Sequence, residues 1–183
     1  MQSERLELIH IQADELIELF ETESSTQIIA RHQITNPFSM LENGEGPLRW
    51  RVPQVRKDPV VNIWFVRWIV LRSTREIIGS ISFHGVPDER GMVEIGLGIH
   101  ESHHNQGFGA EALSLMWSWA AERSGVSVFR YTVSPTNLAS IALVNKFEFA
   151  LVGEQMDEED GLELIFELSV EQFRSSRWFR SQS

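Results

Sequence analysis

The chain contains no cysteine among its 183 residues. Disulfide bonds, thiolate zinc sites and a cysteine nucleophile are therefore excluded. No apolar run approaches the about 20 residues that a membrane-spanning helix needs, and the longest, residues 62–71, is interrupted by Arg67. The polar start of the chain lacks the apolar segment of a secretory signal peptide. These absences predict a cytoplasmic protein without a membrane segment.

Basic residues are also scarce. Sixteen lysines and arginines stand against 26 aspartates and glutamates, which gives a net charge of −10. Because affinity for nucleic acid comes from clustered Lys and Arg, this balance argues against a nucleic-acid partner. An acidic protein attracts cationic substrates such as amines, although the same charge can serve solubility alone.

The length of the chain predicts a single domain over residues 1–183, since domains usually have about 150 residues. In residues 1–60, apolar residues at helical spacing are followed by a loop over residues 35–59 that proline and glycine interrupt. A strand-rich core follows over 62–150, and a hairpin with a tail occupies 151–183. The predicted strands cover residues 5–11, 62–71, 77–84, 92–99, 127–133, 149–156 and 162–170.

One of these strands, Met92–Ile99, leads into a loop and then a helix. Helix N-termini carry unpaired N–H groups and a partial positive charge, so a loop placed there binds anions. Gly107 and Gly109 remove side chains where the backbone would approach a phosphate. The Gly-Lys-Ser/Thr triplet of the Walker loop is absent, and so is the third glycine of the dinucleotide fingerprint. The segment therefore predicts a phosphorylated ligand of another kind.

Gly96 and Gly98 lie on the face of that strand opposite the apolar side chains, together with Glu94. Glycines weaken a strand, so their expected use is the close approach of a ligand.

Two segments and the order of the elements resemble the GNAT acetyltransferase superfamily. The six residues from His104 to Gly109 occupy the positions of that family's Gln/Arg-x-x-Gly-x-Gly/Ala loop, which binds the pyrophosphate of coenzyme A. Residues 134–149 are similar to its Asn-x-x-Ser-Ile…Lys-x-Gly-Phe segment. With Glu4-Arg5-Leu6 at the start and Glu94-Ile95-Gly96 before the loop, the nearest resemblance is to ribosomal-protein N-terminal acetyltransferases.

This resemblance implies an α/β (α+β) fold: a mixed, mostly antiparallel central sheet of six to seven strands flanked by helices. It implies transfer of an acetyl group from acetyl-CoA to a primary amine of a protein N-terminus or a small molecule, with residues 1–60 on the acceptor side. The resemblance leaves open whether the protein forms a homodimer. The cofactor-binding residues it implies are Leu97, Gly98 and Ile99 for the pantetheine arm, His104, Asn105, Gln106, Gly107, Phe108, Gly109 and Ala110 for the pyrophosphate, and Asn137 beside the arm.

Acetyl transfer needs a base for the amine and a proton for the departing thiolate. Glu94 is the first candidate base; its alternative role is an ion pair with a neighbouring arginine. His84 is the second, since histidine titrates near neutral pH, and its alternative role is structural. The resemblance implies that Ser140 is the acid, unless it only supports the first turn of its helix.

Two positions depart from the family. Val144 stands where many members have a tyrosine acid, and Thr132 where some have a base. These departures favour an alternative function, an acyl-CoA-binding sensor or partner module with weak or no catalysis. His100, His103 and His104 form a His-x-x-His-His cluster, but the neighbouring residues supply no further set of ligands, so we predict no metal cofactor.

Overall fold

A computed structural model describes residues 1–22, 25–42, 46–159 and 161–179. The loop residues 43–45, the turn residue Asp160 and the tail residue Arg180, which the sequence analysis included in its predicted segments, lie outside this set. Within the described ranges, no helix has both the length and the apolar character needed to cross a membrane.

The strands form one seven-stranded sheet, in the order β1-β2-β3-β4-β5-β7-β6. The pairs β1/β2, β2/β3, β5/β7 and β6/β7 are antiparallel, and β4/β5 is parallel. The predicted mixed, mostly antiparallel sheet flanked by helices is confirmed. The strands are β1 (Leu6–His10), β2 (Arg67–Leu71), β3 (Ile77–Phe83), β4 (Met92–Ile99), β5 (Val128–Val133), β6 (Ala150–Asp157) and β7 (Gly161–Ser169). The α-helices are α1 (Ala13–Glu21), α2 (Thr26–Arg31), α3 (Leu48–Lys57), α4 (Phe108–Ala121), α5 (Leu138–Lys146) and α6 (Val170–Arg174).

The chain forms two compact units. The first comprises residues 1–86 and 96–115, and the second comprises residues 87–95 and 116–183. Strand β4 and helix α4 each contribute residues to both units. The core of the first unit contains Trp68 and Phe65, which are fully buried together with apolar residues of α1, α2 and α3.

Helix α3 lies where the sequence analysis predicted an irregular loop. The prediction gave weight to Pro53, which lies inside the helix and lacks a backbone N–H. Leu48, Val52 and Val55 are all fully buried, and their spacing is that of one helical face. The burial of this apolar face stabilises the helix despite the proline, as tertiary packing often does.

The strand predicted from residue 62 begins later, at Arg67. The preceding residues, Pro59–Trp64, form a 3₁₀-helix that the side chain of Asp58 caps by accepting a hydrogen bond from the N–H of Val60. The buried guanidinium of Arg67 donates to the carbonyl oxygens of Phe65 and Ile63, at 2.6 and 2.7 Å. The fully buried apolar residues of this segment begin at Phe65, whereas Ile63 in the 3₁₀-helix is 44% exposed.

Aromatic rings form the centre of the second unit. Trp117 is fully buried, and the centroid of its ring lies 4.8 Å from that of Phe147 and 4.9 Å from that of Phe149. The tail packs on the same unit, since the indole N–H of Trp178 donates to the carbonyl of Lys146 at 3.2 Å. The fully buried Trp117 is thus the counterpart in this unit of the buried Trp68 in the first.

The contact between β3 and β4 at Gly79 has no room for a side chain. A Cβ at Gly79 would lie 2.2 Å from the carbonyl oxygen of Gly98, a backbone atom that cannot move aside. We expect Gly79→Ala to lower the free energy of unfolding by about 3 kcal/mol, at the upper end of overpacking costs. Urea denaturation measures this change.

Gly85→Ala is the matched control, because nothing lies within 4 Å of a Cβ at that position. Its unfolding free energy should stay within about 0.5 kcal/mol of that of the parent protein. Equal stability of the two variants would show that the strands can separate at Gly79 without cost.

Candidate active site

The backbone of β4 presents different groups to its two edges. The N–H of His100 donates to the carbonyl of Ile78 in β3 at 2.8 Å, and the carbonyl of Gly98 lies against Gly79. Because successive residues of a strand direct their backbone groups to opposite edges, Leu97 and Ile99 direct theirs away from β3. The parallel register of β4 with β5 runs from Met92↔Val128 to Glu94↔Arg130, and Leu97 and Ile99 lie beyond it.

The two glycines of β4 that were predicted to admit a ligand differ in their surroundings. A Cβ at Gly96 would lie 2.9 Å from Nε2 of His84, so the histidine of the protein itself occupies that space. Beside Gly98 nothing lies within 4 Å, and the residue is exposed. The expected close approach of a ligand is therefore available at Gly98, and at Gly96 only if His84 moves.

The anion loop (residues 104–110) follows β4 and leads into α4. In the part of the chain that the structure describes, the backbone N–H groups of residues 105–110 donate to no acceptor, and the first helical bond of α4 runs from Glu111 to the carbonyl of Gly107. Residues 105–107 are exposed to solvent. A row of unpaired donors at a helix N-terminus is a binding site for an anionic group.

Two residues of the anion loop adopt the left-handed backbone conformation, Asn105 with φ 59° and Gly107 with φ 82°. Asparagine tolerates this region and glycine adopts it freely, so both residues fit the turn. His104 lies just before them, and its Nε2 is 2.7 Å from the carbonyl oxygen of Ile99. The imidazole therefore ties the loop to the end of β4 and engages one lone pair of a carbonyl that the resemblance assigned to the pantetheine arm.

The other histidines of the loop region form a hydrogen-bonded group. The hydroxyl of Ser102 lies 2.8 Å from Nδ1 of His100 and 2.9 Å from Nδ1 of His103. The ring of Phe38 stacks on His100, with centroids 4.0 Å apart. Among the described residues, no group of three or more His, Cys, Asp or Glu side chains is arranged to hold a metal ion.

His84, at the end of β3, is exposed. Its carbonyl accepts a hydrogen bond from the side-chain amide of Gln54 in α3 at 3.3 Å, and the same amide donates to the carbonyl of Trp50 at 3.1 Å. The indole of Trp50 is 51% exposed. Helix α3 therefore brings the side chain of Gln54 to the backbone of His84, with Trp50 one helical turn before Gln54.

In the second unit, Glu94 accepts a hydrogen bond from the hydroxyl of Thr132 at 2.7 Å. The two residues lie on the neighbouring parallel strands β4 and β5, where Glu94 pairs with Arg130, two positions before Thr132. Thr132 cannot act as a base, and it instead contacts the first candidate base.

Ser140 and Asn137 lie at the start of α5, also in the second unit. The side-chain oxygen of Asn137 accepts from the N–H of Ser140 at 3.0 Å and thereby caps the N-terminus of α5. Burial raises the pKa of the Tyr131 hydroxyl, and its hydrogen bond with Ser140 partly offsets that effect. Val144 is fully buried, so this position contributes to the core rather than to a ligand.

Residues 5–150 match the Acetyltransferase (GNAT) domain. The chain is 33% identical over 127 residues to an uncharacterized N-acetyltransferase, YjdG, of Bacillus subtilis, and the match covers 66% of this chain and 76% of that protein. This chain belongs to the GNAT acetyltransferase family. It is an acetyl-CoA-dependent acetyltransferase, which confirms the resemblance and the enzyme class that the sequence predicted.

Solved structures of GNAT enzymes share the fold. RimL, a ribosomal L7/L12 alpha-N-protein acetyltransferase in complex with coenzyme A, has a TM-score of 0.62 at 17% identity, covering 93% of this chain and 97% of that one. A chimera of the spermidine N-acetyltransferase SpeG from Vibrio cholerae with hSSAT has a TM-score of 0.63 at 12% identity, covering 93% and 99%. At these identities the likeness shows the fold alone.

The contact of His84 with Gly96 can be tested without reference to activity. In a Gly96→Ala variant, the new methyl group would meet Nε2 of His84, and the exposed ring would rotate away. We expect the ring signals of His84 in NMR spectra to shift, while the free energy of unfolding changes by less than about 1 kcal/mol.

Gly98→Ala serves as the control, since the added methyl group has no neighbour within 4 Å. It should leave the His84 signals in place. Unchanged His84 signals in the Gly96→Ala protein would mean that the ring does not lie over the strand in solution.

Proposed function

We propose that the anion loop binds the diphosphate of acetyl-CoA and that the chain transfers the acetyl group to a primary amine. The observation that carries this proposal is the run of backbone N–H groups over residues 105–110 without acceptors in the described chain. Backbone donors at a helix start favour a phosphate regardless of side-chain identity. Asn105 and His104, which depart from the family's usual residues, are therefore compatible with binding.

The pantetheine arm would lie along the edge of β4 that faces away from β3. There the backbone groups of Leu97 and Ile99 can bond it as an added strand, and Gly98 leaves space beside it. The side-chain oxygen of Asn137 is engaged in capping α5, so its amide N–H₂ is the group that we assign to the arm. In this arrangement Leu97 and Ile99 bind the arm through their backbone groups, and Asn137 binds it through its side-chain amide.

For the chemical step, we assign Glu94 as the base. Glu94 accepts the proton that the amine loses as its nitrogen forms a bond to the acetyl carbon, and the Thr132 hydroxyl steadies the carboxylate. Ser140 donates a proton to the sulfur as the carbon–sulfur bond breaks, and solvent returns that proton.

The acceptor side is the surface around His84, Gln54 and Trp50. Helix α3 supplies Gln54 and Trp50, and the indole of Trp50 is 51% exposed. An exposed indole favours an apolar neighbour of the amine. This feature supports a protein N-terminus or an apolar amine as acceptor.

Carboxylates placed in the anion loop should abolish binding of the diphosphate. We expect Gly107→Glu combined with Gly109→Glu to weaken the affinity for acetyl-CoA at least about 100-fold, which corresponds to about 2.7 kcal/mol. The negative charges would repel the phosphates, and the side chain at position 107 would strain a residue at φ 82°. Isothermal titration calorimetry measures the affinity.

Gly153→Glu is the control, because it adds the same carboxylate to β6, where a Cβ meets nothing within 4 Å. Its affinity should equal that of the parent protein. If the doubly substituted loop also binds acetyl-CoA normally, the diphosphate does not lie on these N–H groups.

Release of free thiol from acetyl-CoA across a panel of amines tests the transfer itself and the role of Glu94. We expect Glu94→Gln to lower kcat about 10²- to 10⁴-fold, the usual contribution of a general base, and to remove the limb of the pH–rate profile along which the rate rises with pH. Acetyl-CoA affinity should change little. His84→Asn, measured in parallel, tests the second candidate.

An unaltered profile in the Glu94→Gln protein would exclude Glu94 as the base. Binding of acetyl-CoA without thiol release on any amine would favour the alternative function, an acyl-CoA sensor or partner module.

A further inference from the structure

A single arginine near the start of the chain braces the anion loop. The Nε of Arg5 donates to Oε2 of Glu111 at 2.8 Å, its backbone N–H donates to Oε1 at 3.2 Å, and one terminal nitrogen donates to the carbonyl of Gln106 at 3.0 Å. The guanidinium also lies 4.5 Å from the centroid of the Phe108 ring. Arg5 therefore contacts both the loop and the first turn of α4.

The contact with Gln106 fixes the direction of a neighbouring donor. The carbonyl of Gln106 and the N–H of Gly107 belong to the same trans peptide unit, in which the two groups point in opposite directions. Because Arg5 holds the carbonyl, the N–H of Gly107 points away from Arg5. Gly107 is exposed, so this donor faces solvent, where a diphosphate would approach.

The contact of Arg5 with Glu111 matters because the Glu111 carboxylate would repel a phosphate bound at the same helix N-terminus. A carboxylate in the first turn of a helix interacts favourably with the same partial positive charge that would bind a phosphate. The side chain of Glu111 is only 11% exposed. Burial works to raise its pKa, but the hydrogen bonds from Ser3 and Arg5 outweigh burial, and the pKa of Glu111 lies below its ordinary value. Glu111 is therefore ionised at neutral pH, and Arg5 neutralises it.

Arg5 is itself held in place by the N-terminal strap (residues 1–5). The guanidinium of Arg72 donates to the carbonyl of Ser3 at 2.7 Å, and the backbone N–H of Arg72 donates to the carbonyl of Arg5 at 2.9 Å. The Ser3 hydroxyl donates to Glu111 beside the arginine. The strap thus connects the first residues of the chain to the anion loop.

From this geometry we infer that Arg5 is a positioning residue for cofactor binding: it turns the N–H of Gly107 outward and cancels the charge of Glu111 next to the diphosphate. This inference rests on the proposed function, since it requires the diphosphate to lie on the anion loop. The guanidinium does not need to touch the ligand. Its effect should appear only with ligands that carry a diphosphate.

Two thioesters separate this role from a general effect on the fold. Acetyl-CoA carries the diphosphate, whereas acetyl-pantetheine lacks it and keeps the arm and the thioester. We expect Arg5→Ala to raise the Kd and KM for acetyl-CoA about tenfold or more, because a helix-terminal charge and an oriented donor are both lost. The kcat with acetyl-CoA, and kcat/KM with acetyl-pantetheine, should stay within about twofold of the parent values.

Removal of the Glu111 carboxylate should restore part of the acetyl-CoA affinity that Arg5→Ala loses. In Arg5→Ala combined with Glu111→Gln, no uncompensated anion remains near the phosphates, so the affinity for acetyl-CoA should recover at least about threefold relative to Arg5→Ala alone. Arg75→Ala is the matched control. Arg75 pairs with Glu7 of β1 in the same unit but does not contact the anion loop. The Arg75→Ala variant should leave the affinity for acetyl-CoA and kcat/KM with both thioesters unchanged.

Three outcomes would overturn the inference: an equal loss of kcat/KM with both thioesters, an unchanged affinity for acetyl-CoA in Arg5→Ala, or no recovery in the double variant. A parent protein that does not bind acetyl-CoA would instead refute the proposed function. Thermal unfolding of each variant, measured alongside, identifies any that fail to fold, and for those Arg5→Lys, which keeps the charge and loses the fork of donors, replaces Arg5→Ala.

Discussion

The backbone N–H groups over residues 105–110 impose the constraint on which the candidate site depends. Folded proteins pair nearly all of their buried backbone donors, and unpaired donors are tolerated where water can reach them. Residues 105–107 meet this condition because they are exposed. The left-handed conformations of Asn105 and Gly107 keep this short segment from continuing α4 backwards, and the hydrogen bond from His104 to the carbonyl of Ile99 ties it to the end of β4.

A dependence on backbone donors also reconciles the charge of the chain with its ligand. The net charge of −10 would repel a diphosphate at long range. Partial charges at a helix start act only over the first turn, where the donors would touch the phosphate oxygens of a bound diphosphate, and thus need no surplus of lysine or arginine. Arg5 contributes by cancelling Glu111 rather than by adding a net positive charge.

The sequence predicted those elements whose signals are local. Strand β4 carries alternating apolar residues and was placed correctly over residues 92–99. Helix α3 was missed because Pro53 suggested a break while the buried face of Leu48, Val52 and Val55 depends on tertiary packing. The pair of Arg5 and Glu111 joins residues 106 positions apart, and no spacing in one sequence indicates such a contact.

The departure at Val144 has a physical explanation in the chemistry of the leaving group. A thiol has an ordinary pKa of about 8.5, so a thiolate can depart with little help from a strong acid. Val144 is fully buried, and the position serves packing. The Ser140 hydroxyl lies at the start of the same helix, and burial raises the pKa of the nearby strand residue Tyr131. Since a thiolate can leave without a strong acid, loss of the helical tyrosine does not by itself imply loss of catalysis.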